Sequence, residues 1–116
     1  MIDFACKRFS LDEVIRCGLG LTKSDFAIMS LLVRGSNYFL TTVDISKKTG
    51  LDLSTVQRSV KKLYERKILV RKQENLKNGG YIFYYKAKSR KEIKDIVLKI
   101  VDNWSERVEK ELIGWR

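Results

Sequence analysis

The sequence predicts a mainly α-helical chain with one small β hairpin, and three observations carry that expectation. Helix-start signals recur, each a Ser or Thr with an acid three residues on and an apolar periodic run behind it: Ser10 with Glu13, Thr22 with Asp25, Thr41 with Asp44, and Ser89 with Glu92. In such a capping box the hydroxyl accepts an early backbone N–H while the acid reaches back to the N-cap amide. No proline interrupts any of these runs. The only convincing β pattern is ILVRKQ followed by YIFYYK, rich in branched and aromatic residues, flanking NLKNGG, whose Asn78–Gly79 pair suits a tight reversal.

Taken in order, Ser10 opens a short helix near 11–17, and Thr22 opens a second near 23–34 that should stop at Gly35. NYFLTT adds a short strand near 38–40, pairing at the base of the hairpin. Thr41 opens a third helix near 42–49 that should stop at Gly50; both Gly35 and Gly50 are read as stops because glycine tolerates the left-handed conformation that closes a helix. GLD, Gly50 to Asp52, then leads into a fourth helix over 53–66. A three-residue connection beginning with Gly has the length and chemistry of the turn in a helix-turn-helix unit. The hairpin follows over 69–86, and a long fifth helix runs from 90 to 113. The expectation is a winged helix-turn-helix domain with a long C-terminal dimerisation helix, one domain of 116 residues: an N-terminal helix in 1–20, the winged-helix core in 21–88, and the dimerisation helix in 89–116.

Composition narrows the function. The longest nearly apolar run, Phe26 to Val33, falls far short of the roughly 20 residues of a membrane span, and MIDFACKRFSLDE lacks the basic opening and apolar core of a signal peptide. A cytoplasmic protein without a membrane partner follows. With no histidine, and with Cys6 and Cys17 not forming a CxxC pair, no metal or other cofactor is expected; the two thiols should be free and buried or half-buried. No catalytic residue is expected either. Ser54 and Thr55 have no histidine base, the acids are scattered, and the glycines form neither a GxGxxG nor a P-loop arrangement.

Net charge is +10, and its distribution is more telling than its total. Residues 1–40 hold 5 Lys/Arg and 4 Asp/Glu, residues 41–91 hold 14 and 4, and residues 92–116 hold 5 and 6. A solubility mechanism would spread the excess; concentration in the middle segment points to a patch that faces a polyanion.

The fourth helix fits that partner. Leu53, Val56, Val60 and Leu63 fall on one side at helical periodicity. The other side carries Ser54, Thr55, Arg58, Lys61, Lys62 and Glu65, with Gln57 at its flank. Short hydroxyls at the N-terminal end can approach base edges in the major groove, where Gln and Arg make paired hydrogen bonds to adenine and guanine. Cations a turn later meet phosphate whatever the sequence. On the hairpin Arg71, Lys72, Lys77 and Asn78 provide a second contact along the backbone or in the minor groove.

Here the sequence resembles a family. TTVDISKKTGLDLSTVQRSVKKLYERKILVRK, with its hairpin and YYKAKSRKEIKDIVLKIVDNW, is similar to the winged-helix module of prokaryotic, especially archaeal, transcriptional regulators of the TrmB/MarR type, over roughly Leu21 to Val108. The resemblance implies a homodimer on double-stranded DNA, with the fourth helix in the major groove. It places Ser54, Thr55, Gln57, Arg58 and Lys61 on the helix, and Arg71 and Lys77 on the wing, at DNA-facing positions. Larger TrmB-like regulators append a sugar-binding domain with no counterpart in these residues, so no sugar specificity carries over, and any small-molecule effector is left open.

The last helix agrees with a dimer. Ile93, Ile96, Val97, Ile100, Val101, Trp104, Val108 and Leu112 make an apolar stripe on a rod of roughly 36 Å at ~1.5 Å per residue, longer than one small winged domain covers. The first helix, with Phe4, Phe9, Leu11, Val14 and Ile15 nearby, should pack with it. The leading function is therefore a sequence-specific, homodimeric regulator that binds duplex DNA. The alternative is a winged-helix protein-interaction module in a transcription or chromosome-maintenance assembly. A single-strand binder stacking bases on Tyr81, Phe83, Tyr84 and Tyr85 ranks below both, because aromatics on a wing strand more often pack inward.

Overall fold

The computed structural model describes residues 1–35 and 38–116. The chain runs β1 (Ile2–Phe4), β2 (Lys7–Phe9), α1 (Leu11–Leu19), α2 (Lys23–Arg34), α3 (Thr42–Thr49), α4 (Leu53–Glu65), β3 (Leu69–Asn75), β4 (Tyr81–Ala87) and α5 (Arg90–Ile113). It is a mainly α, winged helix-turn-helix fold with a long C-terminal helix. Two compact units divide it, Thr22–Arg90 and the pair of segments Met1–Leu21 with Lys91–Arg116.

Within Thr22–Arg90, capping explains where the helices begin. Thr22 and Asp25 form a complete capping box on α2, and Thr41 and Asp44 form one on α3, each with the hydroxyl and carboxylate bonds near 3.0–3.1 Å. Gly50 closes α3 at φ 76°, in the left-handed region that an L-residue enters at a cost, whereas Gly35, expected to close α2 in the same way, does so at φ −97° with its amide on the Leu31 carbonyl. The turn onto α4 is tied by side chains. Ser46 Oγ donates to the Leu51 carbonyl at 2.6 Å, and Thr49 Oγ1 donates to the Ile45 carbonyl while accepting from the Leu51 amide.

The α4 C-terminus closes without glycine. Lys67 takes φ 65°, so that its amide reaches the Tyr64 carbonyl and the Ile68 amide reaches that of Leu63, both at 3.0 Å. This reversal buries Ile68 and Leu69 and launches β3 directly from the helix. The core joins Ile28, Met29 and Leu32 of α2, Ile45 of α3, and Val56, Val60 and Leu63 of α4 with Tyr85 and Ala87 of β4. Leu53, expected on the apolar side of α4, lies at its exposed first turn.

The wing is an antiparallel pair running from Leu69 opposite Ala87 to Asn75 opposite Tyr81. Its reversal spans five residues, Leu76 to Gly80, with Gly79 and Gly80 both at positive φ and the Leu76 carbonyl accepting from the Gly79 amide. The strand expected near 38–40 is a single bridge, Leu40 with Tyr85, whose amides and carbonyls exchange two bonds of 2.8 Å; Asn37, at the start of that stretch, lies outside the described residues.

The other unit holds a correction. A second hairpin, β1 with β2, pairs Ile2 with Phe9 and Phe4 with Lys7 across a turn at Ala5–Cys6. Three-residue strands are too short to display an alternating pattern, so the sequence gives them no distinguishable signal. Register nonetheless puts Ile2, Phe4 and Phe9 on one face. That face, with Val14, Cys17 and Gly18 of α1 and Ile100, Val101 and Trp104 of α5, lines an open, largely apolar cavity of about 520 Å³. A Cβ at Gly18 would stand 3.4 Å from Ile100 Cγ2, so α1 and α5 approach closely there, as the apolar pattern of the first helix led one to expect. The thiols are a further correction: Cys6 and Cys17 are both free but exposed, one on the hairpin turn and the other at the cavity wall.

Candidate nucleic-acid interface

The geometry of α4 divides its residues cleanly. Val56, Ser59, Val60 and Leu63 face inward. Ser59 is the residue that sequence reasoning passed over, because a hydroxyl among apolar positions reads as neutral. Its Oγ donates to Asp25 Oδ1 in the interior, and Lys62 Nζ donates to Asp25 Oδ2 at 2.7 Å. Burial alone would raise the Asp25 pKa, but the bonds from Lys62, Ser59 and Thr22 outweigh it and lower the value to about 2. The same carboxylate thus caps α2 and fastens α4. Lys62 is placed differently from Lys61: expected to point at phosphate, it has its ammonium on a buried carboxylate.

Outward, Ser54, Gln57, Arg58 and Lys61 are exposed and Thr55 is half-buried. Asp52, the N-cap, makes no side-chain bond to the helix backbone. Instead Ser54 Oγ and Thr55 Oγ1 each donate to its carboxylate at 2.6 Å, holding the Asp52 pKa below the usual range. Both hydroxyl hydrogens are thereby committed; Thr55 Oγ1 also accepts from Arg58 Nη2 at 3.5 Å, whereas the Ser54 oxygen keeps its acceptor lone pairs. Nothing in the sequence distinguishes this role for Asp52 from ordinary N-capping.

The wing cations are held by rings. Arg71 Cζ lies 4.2 Å from the ring centres of both Tyr64 and Phe83. Lys72 Nζ stands 4.7 Å over Phe39 and 5.2 Å over Tyr84, and Lys86 Nζ stands 5.6 Å over Phe39. Lys77 and Asn78 are exposed on the loop. The structure brings α4 and the wing cations into one unit, the unit that also holds the excess charge.

On α5 the predicted stripe grades outward. Ile93 is buried, Ile96, Val97 and Ile100 are half-buried, and Val101, Trp104, Val108 and Leu112 are exposed. Ile113 and Trp115 extend the exposed apolar end. Among the described residues no cluster of metal-ligating side chains occurs, and no helix is long and apolar enough to cross a membrane.

The family model for the DnaD N-terminal domain matches residues 9–108. The chain belongs to the DnaD N-terminal domain family. A relative among curated proteins, the uncharacterized protein MJ1503 of Methanocaldococcus jannaschii, is 30% identical to this family member over 90% of its chain and 78% of the relative. Among solved structures, a possible transcriptional regulator from Methanosarcina mazei Go1 superposes with a TM-score of 0.92 at 47% identity, over 100% of this chain and 97% of that one. A mutant of MepR from S. aureus, bound to an oligodeoxyribonucleotide, superposes with a TM-score of 0.55 at 17% identity, over 90% of this chain and 72% of that one. At that identity the likeness is one of fold, so the resemblance to MarR-type regulators holds for the winged helix-turn-helix architecture.

Proposed function

We propose that the protein is a DNA-binding transcriptional regulator related in type to the TrmB and MarR regulators. It acts as a homodimer, with α4 in the major groove and the wing on the backbone or in the minor groove. The observation that carries this reading is the outward face of α4. The helix is anchored from inside by Val56, Val60, Leu63 and the Ser59–Asp25–Lys62 network, so its outer surface is free to be hydroxyls, an amide and cations. Ser54, Thr55 and Gln57 stand early enough in the helix to reach base edges. With its hydrogen on Asp52, Ser54 suits amino groups of adenine or cytosine better than acceptors, while the Thr55 oxygen is shared with Arg58. Arg58 and Lys61 follow where the phosphate wall stands.

Support also comes from the DNA in the MepR structure and from the description of the 47% identical archaeal protein as a possible transcriptional regulator. The exposed apolar residues Val101, Trp104, Val108 and Leu112 on α5 support a second chain, because large exposed apolar patches on a monomer commonly mark interaction surfaces. Titration of a labelled duplex library, followed by selection of bound fragments, tests the reading. The expected outcome is recovery of a two-fold symmetric motif, with binding that weakens with salt at a slope of roughly −0.9 per phosphate contact. Binding that is weak for all duplexes, with no recovered motif, would exclude it.

A further inference from the structure

We propose that the base of the wing is a phosphodiester clamp, with Arg71 as the gripping group and Tyr64 and Phe83 as the residues that position it. This rests on the duplex-binding reading and adds to it where a backbone contact is made and what fixes it. Arg71 springs from β3, Phe83 from β4, and Tyr64 from the last turn of α4. Register sets Arg71 opposite Tyr85 and Gln73 opposite Phe83, so Phe83 is the diagonal neighbour of Arg71 on one face of the wing, within reach of a long side chain. Tyr81, its ring centre 5.0 Å from that of Phe83, backs the second ring.

The means of holding decides the interpretation. A carboxylate would fix a cationic side chain by neutralising it, as Asp25 does the Lys62 ammonium. An aromatic ring fixes it through its quadrupole and leaves the full charge available. Among the described residues neither Arg71 nor the neighbouring Lys72 and Lys86 forms an ion pair, and all three rest on rings. With the ring centres of two residues each 4.2 Å from its Cζ, the guanidinium of Arg71 is held against aromatic faces, and what it offers to a partner is its edge of N–H donors. That planar fork matches two oxygens of one phosphate. Because Tyr64 belongs to α4, the grip is also registered to the helix that reads bases, so the phosphate contact sets how α4 enters the groove.

The test uses the full chain and a labelled duplex carrying its selected site. Tyr64→Leu and Phe83→Leu should each weaken binding roughly two- to fivefold, the range expected for an exposed cation–ring contact. Tyr64→Phe, which keeps the ring, should bind as the parent does, and Arg71→Lys, which keeps charge but loses the fork, should not. In an Arg71→Ala background, Tyr64→Leu should have no further effect, a result that a merely structural role for the ring does not produce. The Arg71 Nε–H resonance of the free protein reads the holding step without DNA: it should be shifted by the rings and move toward its ordinary position in Tyr64→Leu. Duplex binding unchanged by both ring deletions, effects that add to Arg71→Ala, or an unshifted resonance would each overturn the clamp while leaving the regulator reading in place. A parent protein that binds no duplex overturns both.

Discussion

On α4 the apolar stripe is consumed by the chain itself, Val56, Val60 and Leu63 being no more than 1% exposed, whereas on α5 it is covered only toward its start. Ile93 is 8% exposed, but Val101, Trp104 and Leu112 stand at 41%, 57% and 58%. The two helices look alike as patterns of spaced apolar residues, and the difference lies in what surrounds them. Around α4 the neighbours α2, α3 and β3 close the inner face, while the outer face is polar apart from Leu53 and Tyr64 at its two ends. Around α5 the hairpin and α1 leave a cavity, and the last turns have no cover within the unit. An amphipathic stripe thus identifies a face that wants burial without saying whether the same chain supplies it.

The largest expected effect breaks the comparison at α4. Leu63→Ala deletes a fully buried side chain and should cost about 2–5 kcal/mol of unfolding free energy, read from the urea midpoint. Its sedimentation mass should stay that of the parent. On α5, Leu112→Asp, at an exposed stripe position outside the cavity, should do the opposite, converting a species of twice the 13.6 kDa chain mass into single chains at micromolar concentration. A parent protein that already sediments as one chain would remove the dimer and leave the exposed stripe to some other cover.

Much of this was legible because local chemistry decided it. The capping boxes at Thr22 and Thr41 form as their sequence spacing implies, and the four helices with a predicted cap each begin at the residue after it. What escaped depends on partners distant in sequence or on elements too short to show a period. Ser59 gains its role from Asp25, 34 residues away. Arg71 gains its rings from a different helix and a different strand. For β1 and β2 the alternation lasts only three residues each, and Cys17 sits at the rim of a cavity that exists only once that hairpin is folded. The candidate DNA-facing residues were readable by type, but the sequence could not tell that Lys62 turns to a carboxylate while Lys61 does not.

The next effect probes what fastens α4 from within. The Asp25 carboxylate has an ordinary value of 3.8 and a folded value of about 2. A lowered folded pKa contributes stability that is complete above the ordinary value and is lost as pH falls through 3.8 toward 2. The difference corresponds to about 2 kcal/mol. Urea midpoints between pH 5 and pH 2 should therefore fall more steeply for the parent than for Asp25→Asn, which is less stable at pH 5 and lacks this titration. Parallel curves for the two proteins would mean that the bonds from Lys62, Ser59 and Thr22 to the Asp25 carboxylate add no stability.

The smallest effect concerns the outer face. Gln57 is exposed early on α4 and can bond a base edge in pairs, so Gln57→Ala should cost about 1–3 kcal/mol on the selected site and leave random duplex nearly untouched. Lys62→Ala is an impure comparison, since it also strips Asp25 of its partner and weakens the fold that presents Gln57. Lys77, exposed on the wing loop, is the cleaner phosphate residue. Lys77→Ala should weaken selected and random duplex by the same factor and flatten the salt slope by about one. If Gln57→Ala instead behaves as Lys77→Ala does, lowering both duplexes alike, then α4 grips the backbone without reading bases through Gln57. The polarity of its outer face would then reflect general affinity for a polyanion, and sequence choice would have to arise at Ser54, Thr55 or the wing.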